Sequence, residues 1–279
     1  LFRNDYHFMK KLLLPFLLLL GFVVQAQYNN SWIDYSKTYH KFKLAKTGLY
    51  RLSQSRLAAA GLGTVNADHY SLWRNGKQVR IYTSISGAPL ATTDFIEFYG
   101  EANDGKVDTK LYNNPTAQLS DKFNLYSDTA SYYLTVNTAS SNLRYTLQSG
   151  IVTAPVSPDL FFMRDVNVYF KDRVNAGRAD FAGELVYSSA YDEGEGWTSG
   201  DINPGAGYTF NFSNLNVYTA GPANSLEVRT NLAGNANNFR DVRISFNGDS
   251  VAGGPVTRYQ AKKYLTTGLA LSRFTNPGI

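Results

Sequence analysis

Polar and apolar positions alternate with a period of two through much of this chain. Tyr39, Lys41 and Lys43 oppose His40, Phe42 and Leu44, Lys46-Thr47-Gly48 interrupts, and Leu49-Tyr50-Arg51-Leu52 resumes, which predicts a strand, a turn and a strand. Ser53 stands at an N-cap position, and Ser55 to Gly61 carries Arg56-Leu57-Ala58-Ala59-Ala60, good helix formers that end at a glycine, so one short helix follows. Tyr70-Ser71-Leu72-Trp73-Arg74 and Lys77-Gln78-Val79-Arg80-Ile81-Tyr82 flank Asn75-Gly76, the dipeptide that supplies the positive φ angles of a two-residue hairpin turn.

In Asp94-Phe95-Ile96-Glu97-Phe98-Tyr99-Gly100 the aromatic groups fall on both faces, which places that strand inside a sheet. It runs into the acidic turn Glu101-Ala102-Asn103-Asp104-Gly105. Phe123 to Tyr126 and Ser131 to Val136 read as further strands joined by Ser127-Asp128-Thr129. The pattern lapses into small residues and two prolines over 149–158, which marks a linker. Beyond it Val166 to Phe170, Tyr208 to Phe212, Leu226 to Thr230 and Val242 to Phe246 alternate between Gly-, Asn- and Pro-rich turns with no helix among them, and Asn247-Gly248 offers a second hairpin turn.

The fold class expected is therefore mostly β with a short helix. An N-terminal β-rich α+β domain spans 27–148, and an antiparallel β-sandwich of jelly-roll kind spans 159–279. The chain stops at Asn276-Pro277-Gly278-Ile279 with no closing strand pattern after Leu269-Ala270-Leu271. The sandwich is thus expected to be incomplete and the chain to be part of a longer protein.

Composition narrows the chemistry. Twenty Tyr, seventeen Phe and 23 Gly, with charged residues held to 18%, favour strands and turns over helices. The absence of Cys excludes disulfides, thiolate metal sites and a cysteine nucleophile from these residues. The net charge of +5 falls to +3 once Arg3, Lys10, Lys11 and Asp5 are set aside, a balance that predicts no nucleic-acid partner. Lys10-Lys11 precede the apolar run Leu12 to Val24, and Val24-Gln25-Ala26 places small residues where a signal peptidase cuts, so 1–26 reads as upstream residues and a secretory signal peptide. An N-terminal membrane anchor is the competing reading, but the run is shorter than the roughly 20 residues that span a bilayer. The mature chain is expected to be exported, to the periplasm or the outer-membrane surface.

Four groups of residues carry candidate chemistry. Asp104-Gly105-Lys106-Val107-Asp108, with Glu101 before it, sets oxygen ligands around a glycine as a calcium loop does, yet lacks the full EF-hand register; the alternative is an acidic turn bonded to its own backbone. Glu193 and Glu195 suit paired carboxylates for glycoside hydrolysis or, more simply, a loop cap over Trp197. His40 and His69 lack the Ser and Asp partners of a triad. Trp73 and Trp197 are of the type that stacks on sugar rings or fills a core, and a carbohydrate-binding module is the alternative function they raise.

Taken in order, Tyr39 to Leu44 with Thr47 to Leu52, the helix ending at Gly61, the Leu72-Trp73-Arg74-Asn75-Gly76 hairpin, Asp94 to Gly105 with Asp108, Leu125 to Thr135, and Tyr191-Asp192-Glu193-Gly194-Glu195-Gly196-Trp197 resemble the N-terminal region of the gingipain-like cysteine peptidases of Bacteroidetes, in particular the sortase branch of type IX secretion. The similarity runs from about Trp32 to Phe246 and includes no catalytic motif. In that family a caspase-like α/β domain downstream supplies a His and a Cys. With no Cys, and only His7, His40 and His69, the dyad maps onto no position here. The resemblance implies a parent that removes C-terminal sorting signals from exported cargo and attaches the cargo to the surface. It also implies partners in the chain's own downstream peptidase domain, type IX secretion components and cargo proteins, and no catalytic residue in this chain.

Overall fold

A computed structural model describes residues 30–139, 142–148, 150, 157–181, 183–186 and 191–273. The expected signal peptide and most of the expected linker, 149 and 151–156, lie outside them. The chain is mostly β with several antiparallel sheets, and among the described residues it has one short α-helix. Its described residues fall into two compact units, one drawn from the stretches 30–42, 50–98 and 131–145 and the other from 43–49, 99–130 and 146–273.

The first elements follow the alternation closely. β1 (Tyr39–Leu44), β2 (Gly48–Ser53), α1 (Gln54–Ala59), β3 (Tyr70–Arg74), β4 (Lys77–Val79), β5 (Tyr82–Thr83), β6 (Phe95–Gly100) and β7 (Ala130–Val136) build a four-stranded sheet ordered β1-β7-β3-β4 and a three-stranded sheet ordered β2-β6-β5. Asn75 and Gly76 take φ of 48° and 73° and close the antiparallel β3–β4 hairpin with Arg74 opposite Lys77. β4 ends earlier than the pattern suggests. Ile81 is fully buried and the chain changes sheet there, so that Tyr82 and Thr83 pair with Glu97 and Ile96 of β6.

β6 lies between two neighbours, as expected, with Ile96 and Phe98 buried and Tyr99 exposed. In the first unit the rings of Phe42, Phe98 and Tyr132 pack mutually with centroids 5.6–5.9 Å apart, and Tyr50 stacks on Phe98 at 5.9 Å. Ser53 is the N-cap of α1 in extended conformation, but its hydroxyl bonds Ser55 Oγ at 2.9 Å rather than a helix amide. Gly61, at φ 78°, follows the helix end.

The second unit is carried by β8 (Arg173–Asn175), β9 (Ala179–Phe181), β10 (Glu184–Val186), β11 (Gly196–Thr198), β12 (Leu226–Ala233), β13 (Phe239–Phe246), β14 (Asp249–Thr257) and β15 (Ala261–Leu269). They pair as antiparallel two-stranded ladders, β8 with β11, β9 with β10, β12 with β15 and β13 with β14. Asn247 and Gly248 turn β13 into β14 with φ of 49° and 87°.

Three strand expectations are corrected. Residues 123–126 form a loop because their backbone and side chains are taken up by a buried carboxylate described below. Val166–Phe170 and Tyr208–Phe212 lie outside any regular strand, although their rings meet, Phe170 lying 5.7 Å from Tyr208 and 5.6 Å from Phe210. Alternation alone does not make a strand where no ladder satisfies the backbone. Among the described residues no helix is long and apolar enough to cross a membrane.

Candidate functional site

The acidic turn after β6 leads into a 3-10 segment, Gly105–Leu111, whose N-cap is Asp104. Asp108 on this segment is buried, and both its oxygens are occupied: Oδ1 accepts Asn124 Nδ2 at 2.7 Å and Oδ2 accepts the Leu125 amide at 2.9 Å. Asn124 in turn accepts the Tyr126 and Ser127 amides on Oδ1, and its backbone carbonyl accepts Trp197 Nε1 at 3.0 Å. Asn103 adds a second tie, donating through Nδ2 to the carbonyls of Ser127 and Thr129. Three separate stretches, 103–108, 124–129 and 195–197, are thus joined by hydrogen bonds around one carboxylate. Burial pushes the Asp108 carboxyl above its usual range, opposed by the bonds from Leu125 and Asn124.

The three residues proposed for calcium take different places. Asp104 accepts the Lys106 amide at 3.1 Å and pairs with Lys106 Nζ at 3.2 Å, which raises the Lys106 pKa. Asp108 points into the buried network, and Glu101 is exposed on the loop. Among the described residues no group of three or more His, Cys, Asp or Glu is placed to hold a metal ion.

Next to this network is a cleft of about 420 Å³ in the second unit. It is lined by Asn113, Asn114 and Thr116, by Tyr191, Asp192 and Glu193 of the neighbouring segment, and by Lys263 of β15. The walls are registered by backbone bonds from the Asn113 amide to the Tyr191 carbonyl at 2.9 Å and from the Tyr191 amide to the Leu111 carbonyl at 3.1 Å. Asn113 Nδ2 donates to Asp192 Oδ1 at 2.7 Å, and Glu193 Oε1 accepts the Ala261 amide at 3.2 Å. Lys263 Nζ donates to the carbonyls of Thr116 and Gln118.

Behind the cleft Tyr112 is buried and donates its hydroxyl to the Glu195 carbonyl at 2.8 Å, with the Tyr191 ring edge-on at 5.3 Å. Burial, and then the nearby Glu195 and Asp108 charges, hold the Tyr112 phenol well above its usual pKa. Tyr191 is raised as well, by burial and by its hydrogen bond to Tyr126. Burial raises the Glu195 carboxyl too.

Glu193 and Glu195 therefore have distinct settings, one exposed beside the cleft and one half-buried behind it, with Glu195 Oε2 accepting the Asp192 amide at 3.4 Å. His40 lies half-buried on β1, and His69 sits in a 3-10 turn, where its backbone bonds Asn66 and Asn137. Trp73 stacks on Trp32 with centroids 5.5 Å apart in the first unit. Sequence reasoning missed Asn113, Asn114, Asn124 and Lys263. The signal available was Asn114-Pro115, a dipeptide that starts a turn; nothing local marks the lysine, which arrives from β15.

No family model matches the chain, and neither a curated protein nor a solved structure is detectably similar to it. Fold and site define a mostly β protein whose second unit carries a buried carboxylate network beside a polar cleft.

Proposed function

We propose that this chain is the non-catalytic N-terminal region of a secreted gingipain-family cysteine peptidase, a sortase of the PorU type in type IX secretion. Its parent removes C-terminal sorting signals from cargo and attaches the cargo to the cell surface, and this region supports the peptidase domain from the periplasm or the outer-membrane surface. The reading rests on the ordered resemblance of six segments. One observation favours it: the segments Asp94–Asp108 and Leu125–Thr135 meet where Asp108 accepts the Leu125 amide, and Trp197 of the Tyr191–Trp197 segment joins them through the carbonyl of the adjoining Asn124. Residues that must meet to satisfy a buried carboxylate have a physical reason to recur together in order. The chain has no Cys, so it supplies no cysteine nucleophile of its own.

The test is an assay of the purified chain against Arg-, Lys- and sorting-signal peptides, alone and mixed with a separately produced gingipain-family peptidase domain. No cleavage by the chain alone and stable binding to the peptidase domain are expected. Cleavage by the chain alone, or no binding, contradicts the reading.

A further inference from the structure

We propose that the cleft between Asn113–Thr116 and Tyr191–Glu193 is a binding site for a neutral sugar. The inference is independent of the peptidase reading and rests on which groups the cleft leaves open. Asp192 uses Oδ1 on Asn113 and Glu193 uses Oε1 on Ala261, so with respect to the described residues Asp192 Oδ2 and Glu193 Oε2 remain as acceptors. Asn114 spends Oδ1 on the Thr116 amide and hydroxyl, which leaves its Nδ2 as a donor. Lys263 spends two of its three ammonium hydrogens on the Thr116 and Gln118 carbonyls.

This set selects by exclusion. An anion would meet both carboxylates, whereas a cation would meet two carboxylates and one ammonium, so charge excludes the anion and the mixture of donors and acceptors decides the rest. A neutral polyol uses that mixture fully, because every hydroxyl both donates to a carboxylate and accepts from an amide or ammonium. Tyr191 together with Ala117, Leu119 and Ala261 adds apolar lining suited to the C–H face of a sugar ring. The volume of about 420 Å³ falls within the range of ligand sites.

The site is held ready. Asn114 is the N-cap of Pro115–Ala117, and the neighbouring segment is fixed by the backbone bonds between 111–113 and Tyr191. Binding therefore requires little ordering of the walls, which lowers the entropic cost of association.

The experiment uses the purified chain, saturation-transfer NMR with the methyl glycosides of glucose, galactose, mannose and N-acetylglucosamine, and an array of neutral oligosaccharides. At least one sugar is expected to bind. The D192N/E193Q pair and, separately, N114A are expected to weaken it at least about tenfold, or about 1.4 kcal/mol, while W73A leaves it unchanged. Near-UV circular dichroism identifies any variant that fails to fold, and N114D, which keeps the Oδ1 cap on Thr116 while removing the Nδ2 donor, is expected to weaken binding as N114A does. Absence of binding by every sugar, binding that survives N114A, or preferential binding of N-acetyl-lysine methylamide overturns the proposal.

Discussion

Asn124 Nδ2 donates to Asp108 Oδ1 at 2.7 Å, and both side chains are buried. The pair makes the loop from 124 to 127 an extension of the 3-10 segment rather than a strand. It also carries the load of the second unit's polar interior, since the Asn124 carbonyl receives Trp197. Asp108→Ala leaves the buried Asn124 amide and the half-buried Leu125 N–H without acceptors, and is expected to cost about 3 kcal/mol in urea unfolding. Asn124→Ala should cost a similar amount, and the double variant clearly less than the sum. Additive losses would show that the two side chains do not act together.

Gly105 is required by space rather than by backbone conformation. A Cβ there would lie 2.8 Å from the Asp121 carbonyl carbon and 2.8 Å from the Phe123 carbonyl oxygen, both backbone atoms with no freedom to swing away. Gly105→Ala is expected to destabilise by about 1–3 kcal/mol, measured by chemical denaturation. Gly87→Ala, where the added carbon meets nothing but φ is 74°, should cost less than Gly105→Ala.

The local pattern reached further in the first unit than in the second. The Asn75-Gly76 hairpin, the short helix before Gly61 and the central place of β6 were legible because turn chemistry and alternation act over a few residues. The loop at 123–126 was not, because its structure is imposed by Asp108 sixteen residues earlier and by Trp197 seventy-three residues after Asn124. β14 and β15 escaped notice since Gly253, Gly254 and Gly268 break their hydrophobic pattern. The cleft combines side chains from 113–119, 191–193 and 261–263, a grouping that only the tertiary fold creates.

Tyr112 sets an alkaline limit. Its pKa is raised in the folded state above the ordinary value of 10.0, so the stability it contributes is complete below about pH 10 and is lost as pH rises toward the folded value. Tyr112→Phe is expected to flatten the decline of stability above that pH, though Tyr191, raised in the same direction, keeps part of the slope. At neutral pH the same variant should cost about 1 kcal/mol through the lost bond to the Glu195 carbonyl. An unchanged alkaline slope would remove Tyr112 from the account of pH stability.

For calcium the partners of Asp104 and Asp108 decide the expectation. Asp108 faces its own amide donors and Asp104 is paired with Lys106, so calcium is expected to produce no binding heat and no rise in melting temperature. A saturable heat with thermal stabilisation, lost in Asp104→Asn, would instead place the ion on Glu101, Asp104 and Asp108.

The peptidase-region reading is tested most directly by sequencing the transcript that encodes this chain through and past the codon for Ile279. The result expected is an uninterrupted frame with a His followed by a Cys in alternating strand and helix patterns. A stop codon directly after Ile279, or a downstream glycosidase domain, would contradict it.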